Sequence, residues 1–317
     1  MKYWLLFLGF FLPSIVTAAP DDFDSAKRLA RKIYPSQSQT WYCGCSFRWQ
    51  GDKAHIDLAA CGYKVRKNVQ RAQRLEWEHV VPAQQFGHQR SCWKQGGRDL
   101  CSKKDSYFKQ MEGDLYNLRP SIGEVNGDRA HYRFAELGQA TGQYGACPVQ
   151  IDPRRELVEP RDSIKGDTAR IYFYMMDRYQ IPVTSAEMSL FKLWHQQDPV
   201  DNAERQLNAE IARYMGWPNP FVNGDKQPQG LSPLNANGRP ALVATESVRA
   251  SNAGLSIQQH AEPALQKVLG NKNSKKYHLS HCPGYQQVSS SNQVWFVSEQ
   301  EASDAGYVRA GNCKAKP

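Results

Sequence analysis

The stretch that decides the fold of the larger part of the chain is Arg74-Leu75-Glu76-Trp77-Glu78-His79-Val80-Val81-Pro82. Read as a strand, it ends near Pro82, because proline cannot donate a hydrogen bond to a neighbouring strand. Alternation places Glu78 and His79 on opposite faces unless the strand ends or bends at this point. Pro82 and the polar segment after it favour such an end, so both side chains can face one cleft.

A histidine next to a carboxylate suits phosphodiester hydrolysis. A neutral imidazole, with an ordinary pKa of about 6.5, can take a proton from water near neutral pH. The carboxylate of Glu78 is a hard oxygen ligand of the kind that Mg²⁺ accepts, and the amide oxygen of Asn126 is a second one. Each residue also has a simpler interpretation: His79 as a hydrogen-bonded histidine, Glu78 as a surface carboxylate, and Asn126-Gly127 as the end of a helix.

The first nineteen residues have the form of a secretory signal peptide. Lys2 precedes an apolar run of about ten residues, and small residues follow up to Ala19. A membrane span needs roughly 18–20 apolar residues, and this run is too short. We therefore expect no membrane span, cleavage near Ala18 or Ala19, and a periplasmic or secreted protein.

The eight cysteines all follow this segment, and an even number in an oxidising compartment predicts disulfides. Six lie between 43 and 147 and two lie in the tail, which suggests separate frameworks for two domains. The sequence cannot choose among the fifteen pairings that six cysteines allow. The shortest local pair is Cys92 with Cys101, and the simplest pair in the tail is Cys282 with Cys313.

The charge balance favours a polyanionic partner. Without the first nineteen residues, which contain one lysine and no acidic residue, 39 Lys and Arg remain against 31 Asp and Glu, or about +8. Such a field attracts nucleic acid or an anionic surface irrespective of sequence. Many basic proteins bind neither, so the charge supports this interpretation without establishing it.

Apolar spacing near 3.6 predicts helices over 21–34, 167–179, 185–196 and 201–215. We interpret the Tyr, Phe and Met stripe at 171–176 as core. Short strands are predicted at 41–43, 47–49, 54–58 and 294–297. Residues 83–115 are polar and glycine-rich, and we expect a long loop there.

A further helix is expected after Pro120, where Ser121 can cap and Glu124 can complete a capping box. From 216 to 266 the composition shifts to Pro, Gly, Asn, Ser and Gln, which predicts a mobile linker. We therefore divide the chain into a leader (1–19), a main domain (20–224), a linker (225–266) and a small C-terminal module (267–317).

The ordered motifs of the main domain resemble the bacterial endonuclease I family of secreted and periplasmic nucleases. The likeness covers about residues 22–222. It is carried by WYCGC (41–45), CGYKVRKN (61–68), EWEHVVPA (76–83), QFGHQR (85–90), GGR (96–98), DLYNLRP (114–120), GEVNGDR (123–129) and ARIYFYM (169–175).

The resemblance implies an α+β fold with a ββα-metal core, in which two strands and a helix surround one divalent ion. By motif, Glu78 and Asn126 would be the protein ligands of Mg²⁺, with Mn²⁺ as an alternative. His79 would be the general base, and Arg98 would contact the phosphate. The family cuts DNA, and often RNA, with little sequence preference and leaves 5′-phosphate ends.

Basic residues interleaved with aromatic ones provide candidate phosphate contacts, because arginine can bind a phosphate with two hydrogen bonds. Arg119 and Arg129 are the candidates for substrate binding. We expect the enzyme to be a monomer.

The tail resembles the small metal-binding module of the Ada DNA-repair protein and its relatives. His278, Cys282 and Cys313 match three ligand positions of that module, and Ala310 stands at the fourth. Three ligands do not close a structural zinc site, although His281 could substitute. We expect a Cys282–Cys313 disulfide rather than zinc, and an accessory role in binding nucleic acid or the cell wall.

Two other classes of function agree less well with the sequence. A non-catalytic DNA-binding protein would be favoured if Glu78, His79 or Asn126 were replaced, but all three are present. A metalloprotease of the His-Glu-x-x-His type is disfavoured, because that motif does not occur in the sequence.

Overall fold

The computed structural model describes residues 19–35, 37–138, 141–233, 268–279, 281–289, 292–296, 299–304 and 306–313. They form two compact units. One contains the described residues up to Ile181 and Trp194–Leu231, and the other contains Pro182–Leu193 and the described residues from Ser232 onward. Residues 1–18 of the predicted leader and 234–266 of the predicted linker lie outside the described residues. The division at 224 and 267 therefore stays a prediction.

The helices are α1 (Phe23–Ile33), α2 (Val69–Ala72), α3 (Ala83–Gly87), α4 (Ser91–Lys104), α5 (Ser106–Glu112), α6 (Gly123–Arg129), α7 (Lys165–Tyr179), α8 (Ser185–Gln197), α9 (Asn202–Met215), α10 (Pro220–Asn223) and α11 (Glu299–Asp304). The strands are β1 (Phe47–Gln50), β2 (Lys53–Ile56), β3 (Leu75–His79), β4 (Leu118–Ile122), β5 (Arg133–Phe134), β6 (Gln150–Asp152), β7 (Leu157–Glu159), β8 (Val268–Asn271), β9 (Lys276–Leu279), β10 (Gln293–Phe296) and β11 (Val308–Arg309). Among the described residues, no helix is both long and apolar enough to cross a bilayer.

Two antiparallel strands and the helix that follows them position the predicted site. β3 pairs with β4 in a register that places Glu78 opposite Arg119. β4 runs into α6 without an intervening loop. β3 ends at His79, shortly before Pro82, as the sequence predicts. The α+β fold with a ββα unit is therefore confirmed.

The prediction that Ser121 caps α6 is wrong. Ser121 is a buried residue of β4, and α6 begins one residue after Ile122, which provides no side-chain cap. The Glu124 carboxylate does not reach back to a cap. It accepts hydrogen bonds from the backbone N–H groups of residues 66–68, 2.6–3.1 Å away, and so ties α6 to the segment before α2.

The prediction of a long loop over 83–115 is also wrong, because α3, α4 and α5 fill this segment. α3 and α5 are short, and α4 is interrupted by a kink at Gly96 and Gly97, so the apolar periodicity of this segment is weak. Local contacts stabilise them: Asp105 caps α5 and forms an ion pair with Arg90, 2.6 Å away. Gly96 and Gly97 leave helical geometry inside α4, where Gly97 has a φ of +64° and kinks the helix.

The four helices predicted from apolar spacing are confirmed as α1, α7, α8 and α9. Each begins and ends within about two residues of its predicted bounds. Every residue from 171 to 176 in α7 is buried, so the aromatic and methionine stripe is core, as predicted. Three of the predicted short strands correspond to β1, β2 and β10, although residue 297 lies outside the described residues. The strand predicted at 41–43 is wrong, because these residues form a turn before Gly44, which has a φ of +68°. β1 pairs with β2, and a second small sheet has the order β5-β7-β6.

All eight cysteines form disulfides, and both predicted pairs are confirmed. Cys45–Cys61 and Cys43–Cys147 complete the set, and they join the segment before β1 to the residues on either side of the ββα unit. The four bonds are Cys43–Cys147, Cys45–Cys61, Cys92–Cys101 and Cys282–Cys313.

The C-terminal module has its own small core. Its sheet has the order β10-β8-β9-β11, in which β9 and β11 are parallel and the other pairs antiparallel. The Cys282–Cys313 disulfide engages both tail thiols. The buried residues around this bond include Val268, Leu279, Phe296, Ala302 and Tyr307.

Candidate active site

A cleft of about 540 Å³ opens beside the end of β3. Five of the six predicted site residues line it: Glu78, His79, Arg98, Asn126 and Arg129. They are contributed by β3, α4 and α6, so elements far apart in the sequence converge on one cavity. α1 adds one wall through Phe23 and Lys27.

His79 is held in one orientation by its surroundings. The imidazole lies between the rings of Phe23 and Phe86, with ring centroids 4.7 and 6.3 Å away, and it is only 7% exposed. Its Nε2 lies 2.8 Å from the backbone carbonyl oxygen of Glu112. A carbonyl oxygen can only accept a hydrogen bond, so Nε2 carries the proton and Nδ1 keeps a lone pair.

The surroundings also keep His79 neutral. Burial, with the nearby Arg98 cation as the second cause, lowers the pKa of His79 to about 3. At neutral pH the imidazole is therefore unprotonated at Nδ1, which is the state that a general base needs.

Arg98 is oriented by the side chain of the same Glu112. Its Nε donates to Glu112 Oε1 over 2.6 Å, while Ser102 Oγ donates to Oε2 over 2.8 Å. The Arg98 side chain is 43% exposed, and its two Nη groups have no partner in the described part of the chain. They are available to bind a phosphate through two parallel hydrogen bonds.

Glu78 is a buried carboxylate with one oxygen engaged. Tyr42 donates its hydroxyl to Oε1 over 2.7 Å, and Arg129 Nε lies 3.3 Å from the same oxygen. Among the described residues, none donates to Oε2. Burial raises the pKa of Glu78, although Arg129 and Tyr42 act in the opposite direction. A second cation near Oε2 would stabilise the ionised carboxylate.

Asn126 is oriented by Glu76, which belongs to the same strand as Glu78. Asn126 Nδ2 donates to Glu76 Oε2 over 2.9 Å. A carboxylate can only accept, so the amide nitrogen must face Glu76 and the amide oxygen must face away from it. Within the described residues this Oδ1 has no hydrogen-bond donor.

The donor set fits a hard divalent cation. Glu78 and Asn126 line the same cleft, and no described residue engages Glu78 Oε2 or Asn126 Oδ1. Mg²⁺ typically takes one or two protein oxygens and keeps several waters, so two ligands are enough for it.

The two predicted substrate-binding arginines are both buried. Arg119 does not line the cleft; it is 5% exposed, donates to backbone carbonyl oxygens and lies over the Trp41 ring, 5.1 Å from its centroid. Arg129 lines the cleft but is 1% exposed, and it donates to the carbonyl oxygens of His79 and Val80. These positions favour structural roles for both, with Arg129 bracing the end of β3.

Sequence reasoning missed three residues that support the site: Tyr42, Glu76 and Glu112. Glu76 had a usable signal, because it lies two residues before Glu78 and so shares its strand face. The sequence contained no such signal for Glu112, because Glu112 orients His79 through a backbone carbonyl, which every residue type possesses.

The segment that contains this cleft is similar in sequence to known proteins. Residues 23–226 match the family profile of Endonuclease I, and residues 249–309 match that of ArfC. The extracellular deoxyribonuclease of Aeromonas hydrophila is 45% identical over 201 residues, covering 63% of this chain and 88% of that protein. The Endonuclease-1 of Buchnera aphidicola subsp. Acyrthosiphon pisum (strain APS) is 43% identical over 202 residues, covering 64% and 80%. The periplasmic deoxyribonuclease of Aeromonas hydrophila is 43% identical over 201 residues, covering 63% and 84%.

The Endonuclease I match spans more than half of the chain and contains every residue that lines the cleft. It confirms the resemblance of the main domain, whereas the likeness of the tail to the Ada module is not confirmed. The protein is a nuclease that hydrolyses phosphodiester bonds, and the chain belongs to the Endonuclease I family.

Proposed function

We propose that the protein is a secreted or periplasmic, Mg²⁺-dependent endonuclease that cuts DNA, and also RNA, with little sequence preference and leaves 5′-phosphate ends. The observation that carries this proposal is a neutral imidazole in the same cleft as a carboxylate oxygen of Glu78 and the amide oxygen of Asn126. Within the part of the chain that the structure describes, Nδ1 of the imidazole and both of these oxygens have no hydrogen-bond partner. The Aeromonas hydrophila relatives, an extracellular and a periplasmic deoxyribonuclease, support the location and the DNA substrate.

In this proposal His79 is the general base. Its Nε2–H is fixed on the Glu112 carbonyl, so Nδ1 can take the proton from a water that attacks phosphorus. Arg98 binds a non-bridging phosphate oxygen through its Nη groups, while Glu112 holds its Nε. The Phe23 ring, tilted against the imidazole, and the Phe86 ring, which meets it edge-on, keep bulk water away from His79.

Glu78 and Asn126 would hold the cation. When bound, Mg²⁺ would polarise the phosphate and stabilise the negative charge that develops on the leaving 3′ oxygen. Mn²⁺ has the same oxygen preference and should substitute for it.

Low sequence preference follows if the contacts go to the sugar–phosphate backbone. Arg98 and Lys27 are cations on the walls of the cleft, and cations bind phosphates without reading base edges. The same contacts are available in DNA and in RNA, which is why we include RNA.

We further propose the arrangement of the whole chain. The leader (1–19) would be cleaved near Ala18 or Ala19, and a nuclease domain (20–224) would be joined by a linker (225–266) to an accessory module (267–317). Its likeness to the Ada module suggests that this module binds nucleic acid or the cell wall. We expect a monomer.

A plasmid assay tests the proposal. Wild-type protein should nick supercoiled plasmid in the presence of Mg²⁺, and EDTA should abolish this nicking. Glu78→Ala and His79→Ala should lose cleavage, yet still shift plasmid in a gel without metal. His88→Ala is a matched control, because this histidine is exposed, bonds to the Gln84 carbonyl and does not line the cleft. If the products carry 5′-phosphate ends, a polynucleotide kinase should label them only after a phosphatase has removed these phosphates.

The same assay can contradict each part of the proposed function: the base, the metal requirement and catalysis itself. Cleavage by His79→Ala at the wild-type rate would overturn the base assignment, and full activity in EDTA would overturn the metal. Binding by the wild type without cleavage under any divalent ion would favour a non-catalytic DNA-binding protein.

A further inference from the structure

We infer that Glu76 is a positioning residue, which holds the amide of Asn126 in the one orientation that presents its oxygen to a cation. This inference rests on the proposed metal site and extends it to a residue that does not touch the ion. An asparagine amide has two faces of nearly equal shape, and only its oxygen can bind a hard cation.

The contact between the two residues selects the amide face. Asn126 Nδ2 lies 2.9 Å from Glu76 Oε2. Turning the amide over would place Oδ1 against the carboxylate, where two acceptors would repel each other. Glu76 therefore excludes the orientation in which the NH₂ group would face the cation.

Glu76 is itself held by a fork of Arg71. Arg71 Nε lies 3.0 Å from Oε1, and Nη2 lies 2.7 Å from Oε2. This two-point ion pair sets both the position and the plane of the carboxylate. It also engages both oxygens of Glu76, which leaves the cation to Glu78 and Asn126.

Two glycines of α6 make room for this ion pair. A Cβ at Gly123 would lie 2.8 Å from Glu76 Oε1, and one at Gly127 would lie 2.0 Å from Arg71 Nη1. They lie four residues apart, on one side of the helix that carries Asn126. Because glycine weakens a helix interior, Gly127 lowers the stability of α6 but permits the close approach of Arg71.

The strand that provides the ligand also provides the positioning residue. Glu76 and Glu78 lie two residues apart on β3, so they share one strand face. Asn126 is thus oriented by the same rigid element that carries its partner ligand.

Metal binding by the full mature chain tests the inference without any cleavage. Free Mn²⁺ is measured by electron paramagnetic resonance during a titration of each variant, and thermal unfolding is recorded in parallel. Glu76→Gln should weaken Mn²⁺ binding about tenfold to a hundredfold, which is typical for the loss of a group that orients a ligand. Glu210→Gln is the matched control, because Glu210 also pairs with an arginine, Arg213, but lies outside the cleft.

The second arm separates positioning from a general structural role. Aspartate has two equivalent oxygens and needs no selection of a face. In an Asn126→Asp background, Glu76→Gln should therefore cause no further loss of Mn²⁺ affinity. A merely structural Glu76 would lower the affinity equally in both backgrounds, and that result would overturn the inference.

Gly127→Ala provides a third arm that leaves Glu76 in place. The three atoms nearest to the new Cβ all belong to the guanidinium of Arg71, so the arginine must move off the carboxylate. Alanine is also a better helix former than glycine. We expect a weaker Mn²⁺ affinity in a protein that still folds. Wild-type affinity in both Gly127→Ala and Glu76→Gln would overturn the inference.

Glu78→Ala distinguishes failure of this inference from failure of the proposed function. If Glu78→Ala binds Mn²⁺ like the wild type, the metal site itself is wrong and the inference falls with it. If Glu78→Ala loses Mn²⁺ while Glu76→Gln keeps it, the metal site stands and only the assignment of Glu76 is overturned.

Discussion

The backbone carbonyl oxygen of Glu112 lies 2.8 Å from Nε2 of His79, while the carboxylate of the same residue holds Arg98. One residue at the end of α5 thus orients both the proposed base and the proposed phosphate-binding cation, through two different groups. A side-chain substitution can separate these functions, because it leaves the carbonyl in place.

Glu112→Gln should therefore impair Arg98 and leave His79 intact. We expect kcat/KM for plasmid nicking to fall about tenfold to a hundredfold. His79→Ala should cost about 10²–10⁴-fold. In an Arg98→Ala background, Glu112→Gln should cost little more, because both changes remove the same contact. If the loss of kcat/KM in the double variant equals the product of the two single losses, the two residues act independently and this coupling is contradicted.

The Cys92–Cys101 disulfide should matter for activity because it spans the kink of α4 that carries Arg98. Replacing both cysteines with alanine should lower the free energy of unfolding by about 2.5–3 kcal/mol in the chain-entropy model. It should also lower nicking, since Arg98 loses a fixed backbone. Replacing Cys282 and Cys313 is the control and should leave nicking by the purified protein unchanged. Full activity without the Cys92–Cys101 bond would show that Glu112 alone positions Arg98.

Salt should weaken cleavage at low substrate concentration, because cations that bind phosphates displace counterions. If Lys27 and Arg98 neutralise two phosphates, kcat/KM should fall about tenfold between about 50 and 200 mM salt. Lys27→Ala should reduce the slope of log kcat/KM against log salt by about 0.9. Arg213→Ala, on α9 outside the cleft, should leave the slope unchanged. Cleavage insensitive to salt would contradict backbone recognition.

Stability should depend on pH through Asp167, which shares Arg170 with Glu204. Burial, followed by the Glu204 charge, raises the pKa of Asp167 from 3.8 to about 7. Between these values the folded chain keeps a proton that the unfolded chain has lost. The free energy of unfolding should therefore fall as pH rises, by at most about 1.4 kcal/mol per unit from this group.

Asp167→Asn removes this titration, so the stability of the variant relative to the wild type should improve as pH rises from 4.5 to about 7. Urea unfolding at three pH values measures the difference. A difference for Asp167→Asn that is independent of pH would contradict the raised pKa.

Much of the fold could be predicted because local pattern and tertiary structure agree. The apolar spacing of α7 required a buried helix, and Pro82 required an end to β3. The helices α3, α4 and α5 in 83–115 could not be predicted, because the contacts that stabilise them join residues that no periodicity connects. The ion pair of Arg90 with Asp105 is an example. Ser121 had the pattern of a helix cap, but the pairing of β4 with β3 placed it inside a strand.

The sequence by itself determined which chemical groups the protein has: an imidazole, a carboxylate and an amide in ordered motifs, and cysteines that can pair. Only the tertiary structure decided how they are used. It buried Arg119 and Arg129 in backbone contacts, assigned the proton of His79 to Nε2, and set Glu76 against the amide of Asn126. The physical reason is that protonation state and amide orientation depend on neighbours within about 3 Å, and folding brings these neighbours from distant parts of the chain.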